Sequence, residues 1–420
     1  MARFLPPQPD LEHLKNEAKS LLKTHKKGDS SVCPVFRRLK RFAGTIDSQI
    51  LSAEIALTEA QFALAMDYGF ASWEDLRQAV LDCRPLEGSQ APPQSGALLL
   101  PDPPAAKPGV NRFPSAYHLA LSHCGIACDY DTVAGDTGLA FILQADSLHT
   151  AWGAKRKELD IGFWPLDQWG ALLRLDFLTR VYGRKFHALV AHDEEYRLDE
   201  AQHFRKHFEA AVVQSLREGR PALALEGDMY VVTGFDGGNP PLLGQVACSD
   251  VRQVKRLGRY PWSVIVLGEA IATMDRTKAD AEAVEFVIRL HNDQYGRDLP
   301  GKLSGKSSFA LWTRLLRDPE MCGPHFYHAN VVGHLKRARA SAPVYLRQMA
   351  LRHGQAVAGR LHAAADIYDE VLLRLATADT SKQAFSTPAG PEKLATLVDE
   401  LAATEAKAVR ELELALKAMA

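Results

Sequence analysis

The sequence has 420 residues, enough for two to four domains, and its 46% hydrophobic and 24% charged residues are ordinary for a globular protein. A formal net charge of −1 gives no sign of a nucleic-acid or membrane partner, and the sequence predicts neither. The N-terminal stretch MARFLPPQPD lacks the apolar run of a secretory signal peptide, and no stretch reaches the about 18 apolar residues of a membrane helix. These features predict a cytoplasmic protein.

Residues 1–84 are predicted to form a helical module, because apolar residues recur there at helical spacing. Thr58 and Gln61 form a predicted capping pair at the start of its clearest helix. The basic pieces HKKGD and RRLKR are interpreted as solvated helix faces rather than nucleic-acid contacts. The segments LKNEAKSLLKTHKKGD and AQFALAMDYGFASWEDL resemble a short helical segment that often precedes ankyrin repeats in bacterial proteins. That resemblance implies a docking or packing role and no catalytic residues.

Three further regions follow along the chain. Residues 85–110 are rich in Pro, Gly and Ser and are predicted to be a linker, in which ALLL pins the chain to a neighbouring surface. Residues 111–270 are predicted to be a mixed domain of helices followed by the apolar runs PALALEG, MYVVTGF, LLGQVAC and WSVIVLG, which are typical of antiparallel strands. Residues 271–420 are predicted to be helical. The apolar face of their last helix is expected to pack on the chain's own helices rather than on a partner.

The predicted elements of residues 111–270 are helices followed by a short antiparallel sheet. Papain-like cysteine hydrolases have the same order of elements along the chain. The stretch GRPALALEGDMYVVTGFDGG is similar to the sheet segment of bacterial double-glycine-peptidase-like domains. The pieces SAYHLALSHCGIACDYDTVAGDTGLAFILQ, YPWSVIVLGE, SSFALWTRLL and YHANVVGHLKRARASAPVYL resemble, in that order, a bacterial set related to the butirosin-biosynthesis acyltransferase N-terminal domain. The resemblance implies a papain-like α+β fold with an antiparallel sheet, flanked by helical regions at both ends. It also implies acyl transfer or amide cleavage through a cysteine thioester.

The implied active site departs from the family pattern. The family's histidine falls at Met229, which cannot take a proton, and the family's nucleophile falls near residues 111–114, where there is no cysteine. Of the family's three catalytic positions, only the one at Asp236 has the residue type of the family pattern. It is either a functional carboxylate or a turn residue, and the turn is favoured because the following Gly237 and Gly238 suit a hairpin.

Several side chains near this site are candidates for binding. Ser115 lies near the start of the first helix of the domain, where it either caps the helix or faces an oxyanion, and capping is favoured. Tyr117 and Tyr230, together with Met229, are predicted to line a ligand-binding cleft. Trp262 is interpreted either as a core anchor or as a wall of that cleft.

A second cysteine–histidine motif, CGPHFYHANVVGH, lies after the sheet. If the protein has a working thiol, Cys322 is the first choice, because the neighbouring His325 and His328 lower the pKa of a thiol; the alternative is a helix-start motif. His203 and His207 have the i, i+4 spacing of zinc ligands but no evident third ligand, and they are interpreted as surface histidines. No metal and no cofactor is predicted.

Three functions stay open. The missing cysteine and histidine favour a non-catalytic or divergent member of the papain-like family that binds a small molecule, a peptide or an acyl carrier protein in the ancestral cleft. The first alternative is an active acyltransferase or amidohydrolase with an unconventional nucleophile. The second alternative is an interaction protein that acts through its helical ends.

Overall fold

The computed structural model of the protein describes most of the chain and resolves two compact units, residues 1–93 and residues 94–420. The described residues are 11–42, 44–68, 72–74, 76–77, 98–101, 111–146, 160–161, 174–190, 196, 198–226, 228–248, 254–294, 302–318, 324–387 and 389–419.

The first unit is helical, as predicted. It contains α1 (Leu11–Lys26), α2 (Cys33–Phe36), α3 (Asp47–Ser52) and α4 (Leu57–Asp67). The predicted capping pair Thr58–Gln61 is wrong. The N-cap of α4 is Ala56, and the side chain of Glu59 accepts the Ala56 backbone N–H at 3.0 Å. A carboxylate that reaches back in this way caps the helix without a hydroxyl at the N-cap.

Helices make up most of the second unit. They are α5 (Arg112–His123), α6 (Tyr130–Asp136), α7 (Leu175–Tyr182), α8 (Glu200–His207), α9 (Glu209–Arg217), α10 (Arg276–His291), α11 (Gly305–Leu316), α12 (Pro324–Arg339), α13 (Ser341–Ala350), α14 (Gln355–Ala376) and α15 (Ala389–Met419).

An antiparallel sheet crosses the second unit. Its strands are β1 (Leu98–Leu99), β4 (Arg184–Val190), β5 (Ala222–Glu226), β6 (Asp228–Phe235), β7 (Leu242–Val246), β8 (Lys255–Arg256) and β9 (Ser263–Ala270). The strand order is β4-β9-β5-β6-β7-β8, and β1 adds to β6. A smaller sheet has the order β10-β2-β3. Its strands are β2 (Gln144–Asp146), β3 (Asp160–Ile161) and β10 (Lys302–Ser304). The fold is therefore α+β with helices at both ends of the chain, and the four predicted strands are confirmed.

The predicted anchor in the linker is also confirmed. Leu98 lies opposite Phe235 and Leu99 opposite Gly234, and the Leu100 N–H donates to the Thr233 carbonyl at 2.7 Å. Leu98 and Leu99 therefore extend the large sheet.

The large sheet separates two apolar layers. Along β6, Met229 and Val231 point into the main core, whereas Tyr230 and Val232 point into a second cluster that α8 and α9 cover. This alternation follows from the two-residue repeat of a β-strand. The main core continues through α15, so residues on both sides of position 270 share one core.

The last helix packs on the chain itself, as predicted. Leu394, Val398 and Leu401 of α15 are buried in the main core, and α15 contacts α10, α11 and α14. Within the described residues, no helix is long and apolar enough to cross a membrane.

Candidate functional site

The start of α5 is tied to the sheet by a chain of hydrogen bonds. The Ser115 hydroxyl donates to the Ala247 carbonyl just after β7, and the Ala247 N–H donates to the Met229 carbonyl at 2.8 Å. Ser115 is 1% exposed and Met229 is 2% exposed. Ser115 is therefore not the helix cap that the sequence favours; the N-cap position is Asn111.

Asp236 lies in the turn after β6 and is held by an arginine. Its carboxylate accepts two hydrogen bonds from Arg256, at 2.7 and 2.5 Å, and one from the Gly238 N–H at 3.0 Å. The Arg256 hydrogen bonds lower the pKa of Asp236 below its ordinary value of 3.8, although partial burial acts in the opposite direction. A Cβ at Gly238 would lie 1.9 Å from the guanidinium, so glycine permits this contact. The Asp236 carboxylate therefore stabilises the turn after β6 and binds this turn to Arg256 of β8.

Asp236 does not lie beside Met229 and Ser115. Met229 is the second residue of β6, and Asp236 follows its last residue. Seven residues of extended strand span about 23 Å, at about 3.3 Å per residue. Asp236, which matches the family's residue type, therefore does not share a site with Met229, where the family's histidine falls.

The four predicted binding residues do not line one cleft. Tyr230 points to the opposite face of the sheet from Met229. Tyr117 is fully buried against Phe186, with ring centroids 5.4 Å apart, and its hydroxyl has no hydrogen-bond partner within the described part of the chain. Trp262 is half-buried and packs against the main core. A shared ligand wall would need all four side chains on one side of the sheet.

The second cysteine–histidine motif is described in part. Cys322 lies outside the described residues, and of His325 only the backbone, in the first turn of α12, is described. His328 and His334 are buried in the same helix. Burial lowers the pKa of His334 to about 3. Such a histidine stays neutral at physiological pH and does not supply the positive charge that would lower the pKa of a thiol.

His328 is 1% exposed between aromatic side chains. Its ring centroid lies 5.5 Å from that of Trp312 and 5.8 Å from that of Phe385. Burial lowers the pKa of His328 from 6.5 to about 4, although the nearby Asp379 acts in the opposite direction.

The depressed pKa of His328 predicts loss of stability in acid. Its stabilising contribution is complete above pH 6.5, the pKa of the unfolded chain, and is lost as the pH falls through about 4. Between pH 6.5 and pH 4, we expect the unfolding free energy of the wild type to fall by about 3 kcal/mol more than that of His328→Phe, because phenylalanine does not bind a proton. Urea unfolding at a series of pH values measures this effect, with the exposed His362→Gln as the control. An unchanged pH dependence in His328→Phe would contradict it.

The histidine pair of α8 and two cysteines near the end of α5 lie in buried or partly buried positions. His203 and His207 stack with centroids 4.6 Å apart, but His203 is 2% exposed, so the interpretation of both as surface residues is wrong. No group of three or more metal-binding side chains occurs in the described part of the chain. Cys124 and Cys128 are partly buried, and burial raises the pKa of both thiols, that of Cys128 to about 11.

Two buried charge clusters are absent from the sequence-based expectations. Asp136 is fully buried, and its carboxylate accepts hydrogen bonds from Tyr182, Tyr345 and Arg276 at 2.8, 2.9 and 2.8 Å. Arg339 is fully buried and pairs with the carboxylate of Glu405 at 2.6 and 3.0 Å. The only signal in the sequence is a charged residue within an apolar helical pattern, which does not identify its partner.

Comparison of the sequence with protein-family models and with curated proteins finds no match.

Proposed function

We propose that this protein is a non-catalytic relative of the papain-like acyltransferases and peptidases, which acts by binding a protein or peptide partner. The observation that carries the proposal is the packing of Ser115 and Met229, which occupy the family's nucleophile and base region and are bonded to the chain's own Ala247. Both are buried, so a ligand in the ancestral cleft would have to displace core side chains. Binding at an outer surface is therefore favoured.

The hydrogen bonds also argue against serine catalysis at this position. A nucleophilic hydroxyl needs a neighbouring base that takes its proton. Ser115 donates instead to a backbone carbonyl, which is not basic. Asp236, the one family residue that is kept, is bound to Arg256 at the far end of β6.

The environment of the described cysteines favours inert thiols. Burial raises the pKa of Cys33, Cys124, Cys128 and Cys248 above the ordinary value of 9.0. Only the thiolate is nucleophilic, and at pH 7 a pKa of about 11 leaves about 100-fold less thiolate than a pKa of 9.0.

Iodoacetamide labelling at pH 7, followed for each cysteine by mass spectrometry, tests the proposal. We expect every cysteine of the folded protein to react no faster than the same cysteine in the urea-unfolded chain, and Cys128 to react about 100-fold more slowly. The unfolded chain is the control for intrinsic reactivity. A single cysteine that reacts much faster when the chain is folded would overturn the proposal. If that residue is Cys322, the result would support an active transferase or hydrolase.

A further inference from the structure

A basic groove lies on the N-terminal unit, between α1 and the start of α4. It has a volume of about 470 Å³. Four lysines and two leucines line it: Lys19, Lys23, Lys26, Lys27, Leu22 and Leu57. We call this surface the lysine groove. The leucines supply apolar surface, and Leu57 is 39% exposed.

The lysines form a continuous row. Lys19, Lys23 and Lys26 follow one another at helical spacings of four and three residues, and Lys27 extends the row. Lys19, Lys23 and Lys26 therefore project from one side of α1 over about 10 Å, since a helix rises about 1.5 Å per residue, and Lys27 follows in the turn after α1. All four are exposed, and Lys19, Lys23 and Lys26 form no salt bridge among the described residues.

Three acidic side chains of the same unit are engaged with arginines outside the groove. Asp47 is bound to Arg37, Asp67 faces Arg38 at 3.7 Å, and Glu59 is bound to Arg41 at 2.9 Å. These three carboxylates therefore compensate arginines and not Lys19, Lys23 or Lys26, whereas the pKa of the Asp29 carboxyl is lowered by hydrogen bonds from Ser31 and by the charge of the nearby Lys27. This local charge does not follow from the whole chain, whose formal net charge is −1.

We propose that the lysine groove docks an acidic helical segment of a partner protein. A helix with carboxylates at i, i+4 and i+7 matches the spacing of the lysines along α1, and an apolar side chain among them would contact Leu22 and Leu57. Nucleic acid is a poorer fit, because the lining has no aromatic side chain for base stacking and no arginine fork for phosphates.

This inference rests on the function proposed above, because it names a surface and a class of partner for the binding proposed there, but the two are tested separately. The lysine groove lies entirely within residues 1–93, whereas the buried Ser115 and Met229 belong to the second unit. A reactive cysteine would overturn the proposed function and leave the groove unaffected. Failure of the groove to bind would leave the cysteine result unaffected.

Fluorescence anisotropy with the full chain tests the proposal. The probe is a labelled 18-residue helical peptide with glutamates at i, i+4 and i+7 around one leucine. We expect Lys23→Glu/Lys26→Glu to weaken its binding at least about tenfold, because two attractive contacts become repulsive. The matched control is Lys393→Glu/Lys407→Glu, which makes the same charge change at exposed positions of α15 and is expected to bind as the wild type does.

Two further measurements separate the partner classes. Leu57→Ala is expected to weaken peptide binding about fivefold, because an exposed apolar contact is lost. A single-stranded 20-nucleotide DNA and vesicles with anionic lipid are expected to bind more weakly than the peptide. Tighter binding of either one, or unchanged peptide binding in Lys23→Glu/Lys26→Glu, would overturn the proposal.

Discussion

Replacing Arg339 with methionine is expected to lower the free energy of unfolding by about 3–5 kcal/mol. Arg339 and Glu405 are 0% and 3% exposed, and the guanidinium also donates to the Ala140 and Ile142 carbonyls, both at 3.1 Å. The substitution leaves the Glu405 carboxylate buried without its charge partner and frees two carbonyls of a buried turn. Urea unfolding of the full chain, followed by circular dichroism, measures the loss.

A second variant separates the loss of the ion pair from the loss of packing. In Arg339→Met/Glu405→Leu no charge is left unpaired, and apolar side chains of similar volume replace both partners. We expect the double variant to recover much of the stability that Arg339→Met loses. Equal losses in the single and double variants would contradict an energetic role for the ion pair and would point to packing and to the two freed carbonyls.

Four of the seven strands of the large sheet were predictable because their signal is local. Short apolar runs between glycines and prolines gave β5, β6, β7 and β9. The assignment of β6 also fixes two features of the site. Alternation along β6 sends Met229 and Tyr230 to opposite faces, and the length of β6 separates Met229 from Asp236. The family pattern alone places Met229, Tyr230 and Asp236 in one site, whereas the geometry of β6 separates them.

Other features were not predictable because they depend on distant partners. A serine in the first turn of a helix is usually a cap, but Ser115 bonds to Ala247, 132 residues later in the sequence. Arg339 and Glu405 are 66 residues apart, and Asp136 and Arg276 are 140 residues apart. Local patterns report helix ends and apolar faces, whereas these pairs form only when separate elements pack together.

Asp136→Asn is expected to lower the free energy of unfolding by about 3–5 kcal/mol. The carboxylate of Asp136 lies on α6 and joins three other helices, because it accepts from Tyr182 of α7, Arg276 of α10 and Tyr345 of α13. An asparagine side chain keeps one acceptor oxygen for Arg276 and Tyr345, and its amide N–H would face the Tyr182 hydroxyl, which would have to change from donor to acceptor. It also removes the nearer of two negative charges that compensate the largely buried Arg276, since Asp280 lies farther away at 3.7 Å.

The matched control is Asp236→Asn, the same substitution in a carboxylate that also pairs with an arginine. Its partner Arg256 is 39% exposed, so water and salt screen the pair, and we expect a loss of about 1 kcal/mol or less. Urea unfolding of both variants in the same buffer gives the comparison. If the two variants lose equal stability, burial does not govern the strength of these pairs. A larger loss in Asp236→Asn would show that the turn after β6, and not the four-helix junction around Asp136, limits the stability of the second unit.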